Sequence, residues 1–222
     1  MQAVLWDMDG LMIDSEPLWT IAEAELAASL GGVWGEAIKA AVLGTRLDVA
    51  VPAILRWFDV EPTPARVAQA SELLMTRMVE LYAGALPVLP GVTELLGALR
   101  TEGVPVALVS SSYRVLVDAA LTHGARLGWA PFDITLSGDE VGHGKPHPEP
   151  YLSAAARLGV DPARCVVLED SAAGVASGEA AGCAVVAVPS VAGVVLGERA
   201  RRLVVPSLVG VGVGQLSGVV RG

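Results

Sequence analysis

Two carboxylates, Asp7 and Asp9, follow directly after the apolar run from Ala3 to Trp6 and are followed by Gly10. The run predicts a buried first strand, and ligands of open α/β sheets bind at the carboxyl ends of the strands. If a cation offsets their repulsion, one carboxylate can attack an electrophile while the other moves protons. Taken alone, acid-x-acid-glycine is also a common turn sequence, so this motif by itself leaves both interpretations open.

Candidate anion-binding groups follow further along the chain. The apolar run from Val106 to Val109 ends in Ser110-Ser111-Ser112, just before a predicted helix, where hydroxyl and backbone N–H groups can form an anion site. Serines in that position are also ordinary helix caps. Lys145, one of two lysines in the chain, lies between Gly144 and Pro146. Its ammonium group could bind phosphate and keep a nucleophilic carboxylate ionised.

A second acidic pair, Glu169-Asp170, ends the apolar run that begins at Cys165 and comes directly before Ser171. Asp170 could serve only as a helix N-cap, which is a common role for aspartate. Adjacent acids at the end of a buried strand are nevertheless the type of oxygen ligand that a hard Mg²⁺ ion prefers. These acids therefore predict a magnesium site.

Single helices separate the predicted strands of the second part of the chain. Strands are expected near residues 3–6, 106–109, 134–136, 165–168, 184–188 and 203–205. This alternation favours an α/β fold with a doubly wound parallel sheet. Helical periodicity without a convincing strand covers residues 16 to 84, beginning after Ser15 as a possible N-cap. We therefore expect an α/β catalytic core formed by 1–15 and 86–222, with an inserted all-helical cap domain formed by 16–85.

Composition excludes several classes of protein. The chain has 222 residues, 53% of them hydrophobic, which predicts a globular fold, and its net charge of −9 without a long basic run argues against a nucleic-acid partner. The uncharged stretch 203–220 contains Pro206 and four glycines, so we expect no membrane span there but a last strand and a poorly helical tail. Cys165 and Cys183 lack metal-ligand spacing and are expected to be buried free thiols. Because acids interrupt the first apolar run, no signal peptide is expected, and the prediction is a cytoplasmic monomer.

The four polar segments together resemble the haloacid dehalogenase-like (HAD) hydrolase superfamily, and within it the beta-phosphoglucomutase-like sugar-phosphatase branch with a helical cap. Asp7-Met8-Asp9-Gly10 matches the first motif of the family, Ser110 the second, Lys145 the third and Glu169-Asp170 the fourth. The similarity extends over nearly the whole chain. It departs only after Val205, where members of the family usually carry a firmer last helix.

The resemblance implies a role for each of these residues. Asp7 would be the nucleophile that forms an aspartyl-phosphate, and Asp9 the general acid and base. The phosphoryl oxygens would be bound by Ser110, Ser111 and Lys145. The resemblance further implies that Mg²⁺ is held by Asp7, by Asp170, by the main-chain carbonyl of Asp9, and by Glu169 directly or through water.

Substrate selection is expected to depend on the cap. Candidate contacts are Glu16, Trp19 and Arg46, the last within Gly44-Thr45-Arg46 and equally interpretable as an exposed helix-end residue. In beta-phosphoglucomutases a histidine stands twelve residues after the nucleophile, whereas this chain has Trp19 there. A phosphatase of small phosphorylated metabolites, such as sugar phosphates, is therefore favoured over the alternative of a phosphosugar mutase. A non-catalytic binding protein is the third possibility.

Overall fold

The computed structural model describes residues 1–42, 45–84, 86–190, 196–197 and 199–222. Within these ranges the chain forms six strands and nine α-helices. The strands are β1 (Ala3–Trp6), β2 (Val106–Val109), β3 (Ile134–Leu136), β4 (Cys165–Glu169), β5 (Ala184–Ala187) and β6 (Arg202–Val204). The helices are α1 (Glu16–Ser29), α2 (Glu36–Val42), α3 (Leu47–Trp57), α4 (Pro64–Gly84), α5 (Val92–Thr101), α6 (Arg114–Arg126), α7 (Glu149–Leu158), α8 (Ala172–Ala180) and α9 (Val213–Arg221).

The strands form one parallel sheet in the order β3-β2-β1-β4-β5-β6. Every residue of β1, β2, β4 and β5 is buried, as expected for a parallel sheet with helices on both faces. Trp6 at the end of β1 is in register with Leu108 of β2 and Leu168 of β4. The three central strands therefore end at one edge of the sheet, and the predicted doubly wound α/β fold is confirmed.

Helices α7 and α8 pack on the face of the sheet that carries Ala3 and Leu5, and they contribute Tyr151, Ala154 and Val175 to its core. Helix α9 contacts β4 and β5. Both Cys165 and Cys183 are buried free thiols, as the sequence predicts.

The glycine-rich tail differs from its prediction. Residues 213 to 221 form α9 instead of a poorly helical segment. Glycines lower the helix propensity of this stretch, but Val213 and Leu216 lie one turn apart and are buried. Burying a side chain such as fully buried Leu216 stabilises by roughly 2 kcal/mol, which outweighs the weak local propensity.

The chain divides into two compact units. The first consists of Met1–Asp14 together with Pro87–Gly222, and the second consists of Ser15–Leu86. The second unit consists of helices α1 to α4. Its core includes Leu26 of α1 and Leu74, Met78 and Tyr82 of α4. Ser15 precedes α1 but makes no capping hydrogen bond with its side chain, because its backbone is helical (φ −83°, ψ −16°) and not extended as a cap requires.

None of the helices described in the structure is both long and apolar enough to cross a membrane.

Candidate active site

Asp7 lies where β1 leaves the sheet. Its backbone N–H donates to the carbonyl of Leu168 over 3.0 Å, which continues the pairing of β1 with β4 by one residue. The residue is 6% exposed. Burial raises the pKa of Asp7 well above its ordinary value, the nearby Lys145 ammonium opposes that shift, and Glu169 and Asp170 add to it.

Lys145 fills the space between the strand ends. Its Nζ donates to Asp7 Oδ1 over 2.5 Å, to Glu169 Oε1 over 2.6 Å and to the Val109 carbonyl over 2.9 Å. Burial alone would lower the pKa of this amine, but the carboxylates of Asp7 and Glu169 outweigh burial and raise it. Because an ammonium group has three N–H donors, all of them are used within the protein. Lys145 thus joins the predicted nucleophile, Asp7, to Glu169.

Glu169 is wholly buried and accepts hydrogen bonds at both oxygens. Its Oε1 accepts from Lys145 and from the Tyr151 hydroxyl over 2.8 Å. Its Oε2 accepts from the backbone N–H groups of Asp170 and Ser171 and from the Ser171 hydroxyl over 3.1–3.2 Å. Gly174 leaves room for this carboxylate, since a Cβ there would lie 1.7 Å from Glu169 Oε1. The contacts make Glu169 an anchor for Lys145.

Asp170 lies beside Glu169 and is 7% exposed. Burial and the neighbouring Glu169 raise the pKa of Asp170 to about 7, while a hydrogen bond from the Ser190 hydroxyl partly opposes the shift. Gly10 has φ +80°, and a Cβ at that position would lie 2.1 Å from Asp170 Oδ2. Glycine is therefore needed for the loop after β1 to approach Asp170. The N-cap of α8 is Ser171, whose hydroxyl accepts from Gly174 N over 3.0 Å, so the alternative that Asp170 is only an N-cap is wrong.

Asp9 contacts the serine segment after β2. Its Oδ2 accepts from Ser112 Oγ over 2.7 Å and from Ser110 Oγ over 3.4 Å. Ser110 is buried and its Oγ also accepts from Ser112 N over 2.9 Å. Ser111 is exposed, and its carbonyl packs so closely against Gly138 that a Cβ there would lie 2.2 Å away. The structure thus brings the hydroxyls of Ser110 and Ser112 to Asp9, and it shows no such contact for the Ser111 hydroxyl in the part of the chain that it describes.

Carboxylate oxygens of Asp7, Glu169 and Asp170 lie within 4.8 Å of one another. Three buried acids and the Lys145 ammonium leave an excess of two negative charges when the acids are ionised. Burial is the main cause of the raised pKa values of Asp7 and Asp170, and the neighbouring carboxylates raise them further. A divalent cation with oxygen ligands would offset the charge. The donor set therefore fits Mg²⁺.

The sequence alone gives no signal for two residues of the site and only an incomplete one for a third. Tyr151 reaches Glu169 from α7, Ser190 reaches Asp170 from the segment after β5, and Ser112 donates to Asp9. Tyr151 and Ser190 lie far along the chain from any acid motif, so only the folded sheet places them there. The run of three serines does mark Ser112, but it does not indicate which hydroxyl turns towards Asp9.

The predicted substrate contacts Glu16, Trp19 and Arg46 all belong to the helical unit. Glu16 begins α1 and lies 3.6 Å from the Lys39 ammonium. Trp19 lies one turn further along α1 and is half-buried. Arg46 directly precedes α3 and pairs with Asp48 over 3.6 Å. Gly44, predicted as part of the same segment, lies outside the described residues.

Glu23 of α1 provides a test of the electrostatics of the helical unit. Burial and the nearby Glu16 raise the pKa of Glu23 from 4.5 to about 7, with Lys39 acting in the opposite direction. The folded state then binds more protons than the unfolded state between pH 4.5 and 7, so this residue destabilises the fold increasingly as pH rises through that window.

We expect Glu23→Gln to be more stable than wild type by about 1 kcal/mol at pH 8, a value that allows for partial exposure, and to show no gain at pH 4. Urea unfolding at the two pH values measures the difference. The matched change at exposed Glu72 is expected to show no such pH dependence. An equal stability of wild type and Glu23→Gln at pH 8 would contradict the raised pKa.

The sequence matches known proteins along most of its length. The model of the haloacid dehalogenase-like hydrolase family matches residues 1–182. Hexitol phosphatase B of Escherichia coli K12 is 37% identical over 191 residues, which cover 85% of this chain and 83% of that protein. A phosphorylated carbohydrates phosphatase of Thermotoga maritima is 31% identical over 183 residues, with 82% of each chain covered.

A solved structure shows the same fold. CbbY from Rhodobacter sphaeroides, crystallised as a mutant in complex with xylulose-(1,5)bisphosphate, is 26% identical and superposes with a TM-score of 0.84. The superposition covers 97% of this chain and 99% of that one. These comparisons confirm the family that the four motifs indicate.

Proposed function

Because the chain belongs to the haloacid dehalogenase-like hydrolases, we propose that it is a Mg²⁺-dependent phosphatase of small phosphorylated metabolites, with sugar phosphates as the substrate class. The observation that carries this proposal is the buried cluster of Asp7, Glu169 and Asp170, closed by Lys145 at the ends of β1 and β4. Such a cluster can hold a cation and present one ionised carboxylate to phosphorus.

In the first step, the Asp7 carboxylate attacks phosphorus and the bond from phosphorus to the leaving oxygen breaks. Asp9 donates a proton to that oxygen, so the alcohol leaves neutral. In the second step, Asp9 takes a proton from water, the water oxygen attacks phosphorus, and the bond to Asp7 breaks with release of inorganic phosphate. The hydroxyl of Ser112 orients Asp9 through the hydrogen bond at 2.7 Å.

Lys145 favours the ionised form of Asp7 and orients it through the 2.5 Å contact. Asp7, Asp170 and the main-chain carbonyl of Asp9 would hold Mg²⁺, which would offset the charge of the phosphoryl group when bound. Glu169 already accepts five hydrogen bonds, which favours a contact with the ion through water over a direct one. Backbone groups of the serine segment and the Ser110 hydroxyl bind the phosphoryl oxygens.

The sugar-phosphate class is supported by the relatives that are named hexitol phosphatase and phosphorylated carbohydrates phosphatase. Glu16, Trp19 and Arg46 are proposed as contacts to the part of the substrate that leaves. Trp19 occupies the position of the mutase histidine, and no observation favours the mutase alternative. The monomeric state and the cytoplasmic location stay predictions.

A substrate panel tests the proposal. The metal-free protein is assayed with hexitol phosphates, hexose phosphates and an aryl phosphate, with and without Mg²⁺, and inorganic phosphate is measured. We expect phosphate release that requires Mg²⁺ and that yields free sugar from a hexose 1-phosphate. Formation of the 6-phosphate would instead identify a mutase, and the absence of hydrolysis across the panel would contradict phosphatase activity.

A further inference from the structure

A second group of side chains that could hold a metal ion lies on the loop that precedes α7 and on the first residue of that helix. His143, His147 and Glu149 each offer a ligand atom, and these atoms lie within 4.8 Å of one another. The two imidazole rings have centroids 4.6 Å apart. The side chains of His143 and His147 are 71% and 51% exposed, so an ion can reach them from solvent.

We propose that His143, His147 and Glu149 bind a borderline divalent transition-metal ion of the Zn²⁺ type, separately from the carboxylate cluster of the active site. Two imidazoles and one carboxylate form a known zinc ligand set, with a fourth position left to water. His143 Nδ1 and His147 Nδ1 lie 2.9 and 3.9 Å from Glu149 Oε2. Tetrahedral Zn²⁺ with bonds of about 2.0 Å separates neighbouring ligands by about 3.3 Å, a value between these two distances.

The loop that carries these ligands is held by the protein itself. Glu149 accepts from the backbone N–H groups of Gly142 over 2.7 Å and His143 over 3.0 Å. The carbonyl of His147 accepts from Ser177 Oγ of α8 over 2.6 Å. Because these hydrogen bonds already order the loop, little further conformational entropy of its backbone is lost when an ion binds.

Two local hydrogen bonds must be exchanged for the ion. His147 Nδ1 accepts from the N–H of Glu149 over 3.2 Å, which places the ring proton on Nε2 and leaves the lone pair of Nδ1 on the side of Glu149. This bond is long, and a metal–imidazole bond is the stronger interaction. The ion would likewise replace the contact between His143 Nδ1 and Glu149.

The two candidate sites differ in their chemistry. The active-site cluster offers only carboxylate oxygens, which suit Mg²⁺, whereas imidazole nitrogens favour Zn²⁺, Ni²⁺ and Cu²⁺ over Mg²⁺. Lys145 lies between His143 and His147 in the sequence and contacts Asp7 and Glu169. An ion bound by His143 and His147 would therefore fix the chain on both sides of Lys145.

Calorimetric titration with ZnCl₂ tests this site on untagged, chelator-treated protein in excess Mg²⁺, which occupies sites that prefer hard cations. We expect one Zn²⁺ bound per chain, with His143→Ala and His147→Ala each weakening the affinity at least about tenfold. His123→Gln, which changes the remaining histidine of the chain, and Asp170→Asn are expected to bind Zn²⁺ as wild type does.

Failure to bind Zn²⁺, or unchanged binding by both His143→Ala and His147→Ala, would overturn the proposal. Loss of binding in Asp170→Asn would also overturn it, since the ion would then belong to the active site. The readout is binding and not turnover, so its outcome is independent of the phosphatase assay.

Discussion

Asp7→Asn is expected to lower Mg²⁺-dependent hydrolysis of an aryl phosphate by at least about 10⁴-fold, an effect of the size found for nucleophiles of other covalent enzymes. An amide oxygen is a poor nucleophile. The substitution also removes one of the three carboxylates that could hold the cation. Asparagine has nearly the same shape, so the buried position can be filled without a cavity. Initial rates of aryl alcohol release measure the loss.

Asp14→Asn is the matched control for this variant. Asp14 lies seven residues further along the same segment and is exposed, so we expect its replacement to leave turnover within about twofold of wild type. Circular dichroism and thermal unfolding verify that both variants retain the fold. Wild-type turnover by a folded Asp7→Asn protein would show that Asp7 does not attack phosphorus.

Lys145→Met is expected to destabilise the metal-free protein by about 3–5 kcal/mol, because it leaves buried Asp7 and Glu169 without their cation. The same change should reduce turnover about 10²- to 10³-fold, as the loss of a preorganised charge does in other active sites. Without the ammonium group, the two carboxyls take up protons more readily in the folded state, so the deficit in stability should shrink as pH falls. Urea unfolding at pH 5 and pH 8 measures both effects.

Lys39→Met is the control for the loss of a lysine side chain in general, because Lys39 and Lys145 are the two lysines of the chain. Lys39 lies in the helical unit, keeps 28% of its side chain exposed and forms a 3.6 Å ion pair with Glu16. A partly exposed pair of this kind contributes less than about 1 kcal/mol. Equal destabilisation by the two replacements would contradict the structural role assigned to Lys145.

The sequence indicates the centre of the site well because its residues follow strands. Asp7, Ser110 and Glu169 each come directly after or at the end of an apolar run, and parallel register brings those ends to one edge. The positions of these side chains can therefore be predicted from the apolar runs that mark the strands and from the rule that parallel strands place their carboxyl ends at the same edge.

The surrounding contacts depend on tertiary packing and could not be predicted in the same way. Tyr151 reaches Glu169 only because α7 packs on the sheet. Its hydroxyl donates a hydrogen bond to Glu169, a carboxylate that the sequence predicts as a Mg²⁺ ligand. The α9 helix forms because Val213 and Leu216 are buried, which the glycine content of the tail obscures.

The covalent step at Asp7 is tested most directly with the Asp9→Asn protein. An aryl phosphate has a good leaving group and needs little help from an acid, whereas attack by water in the second step needs Asp9 as base. The phosphorylated enzyme should therefore accumulate. With Mg²⁺ and a radiolabelled aryl phosphate, the prediction is a stoichiometric burst of aryl alcohol and one hydroxylamine-sensitive phosphoryl group per chain, on the peptide that contains Asp7. Label on another residue, or a burst of aryl alcohol that leaves the protein unlabelled, would contradict an aspartyl-phosphate at Asp7.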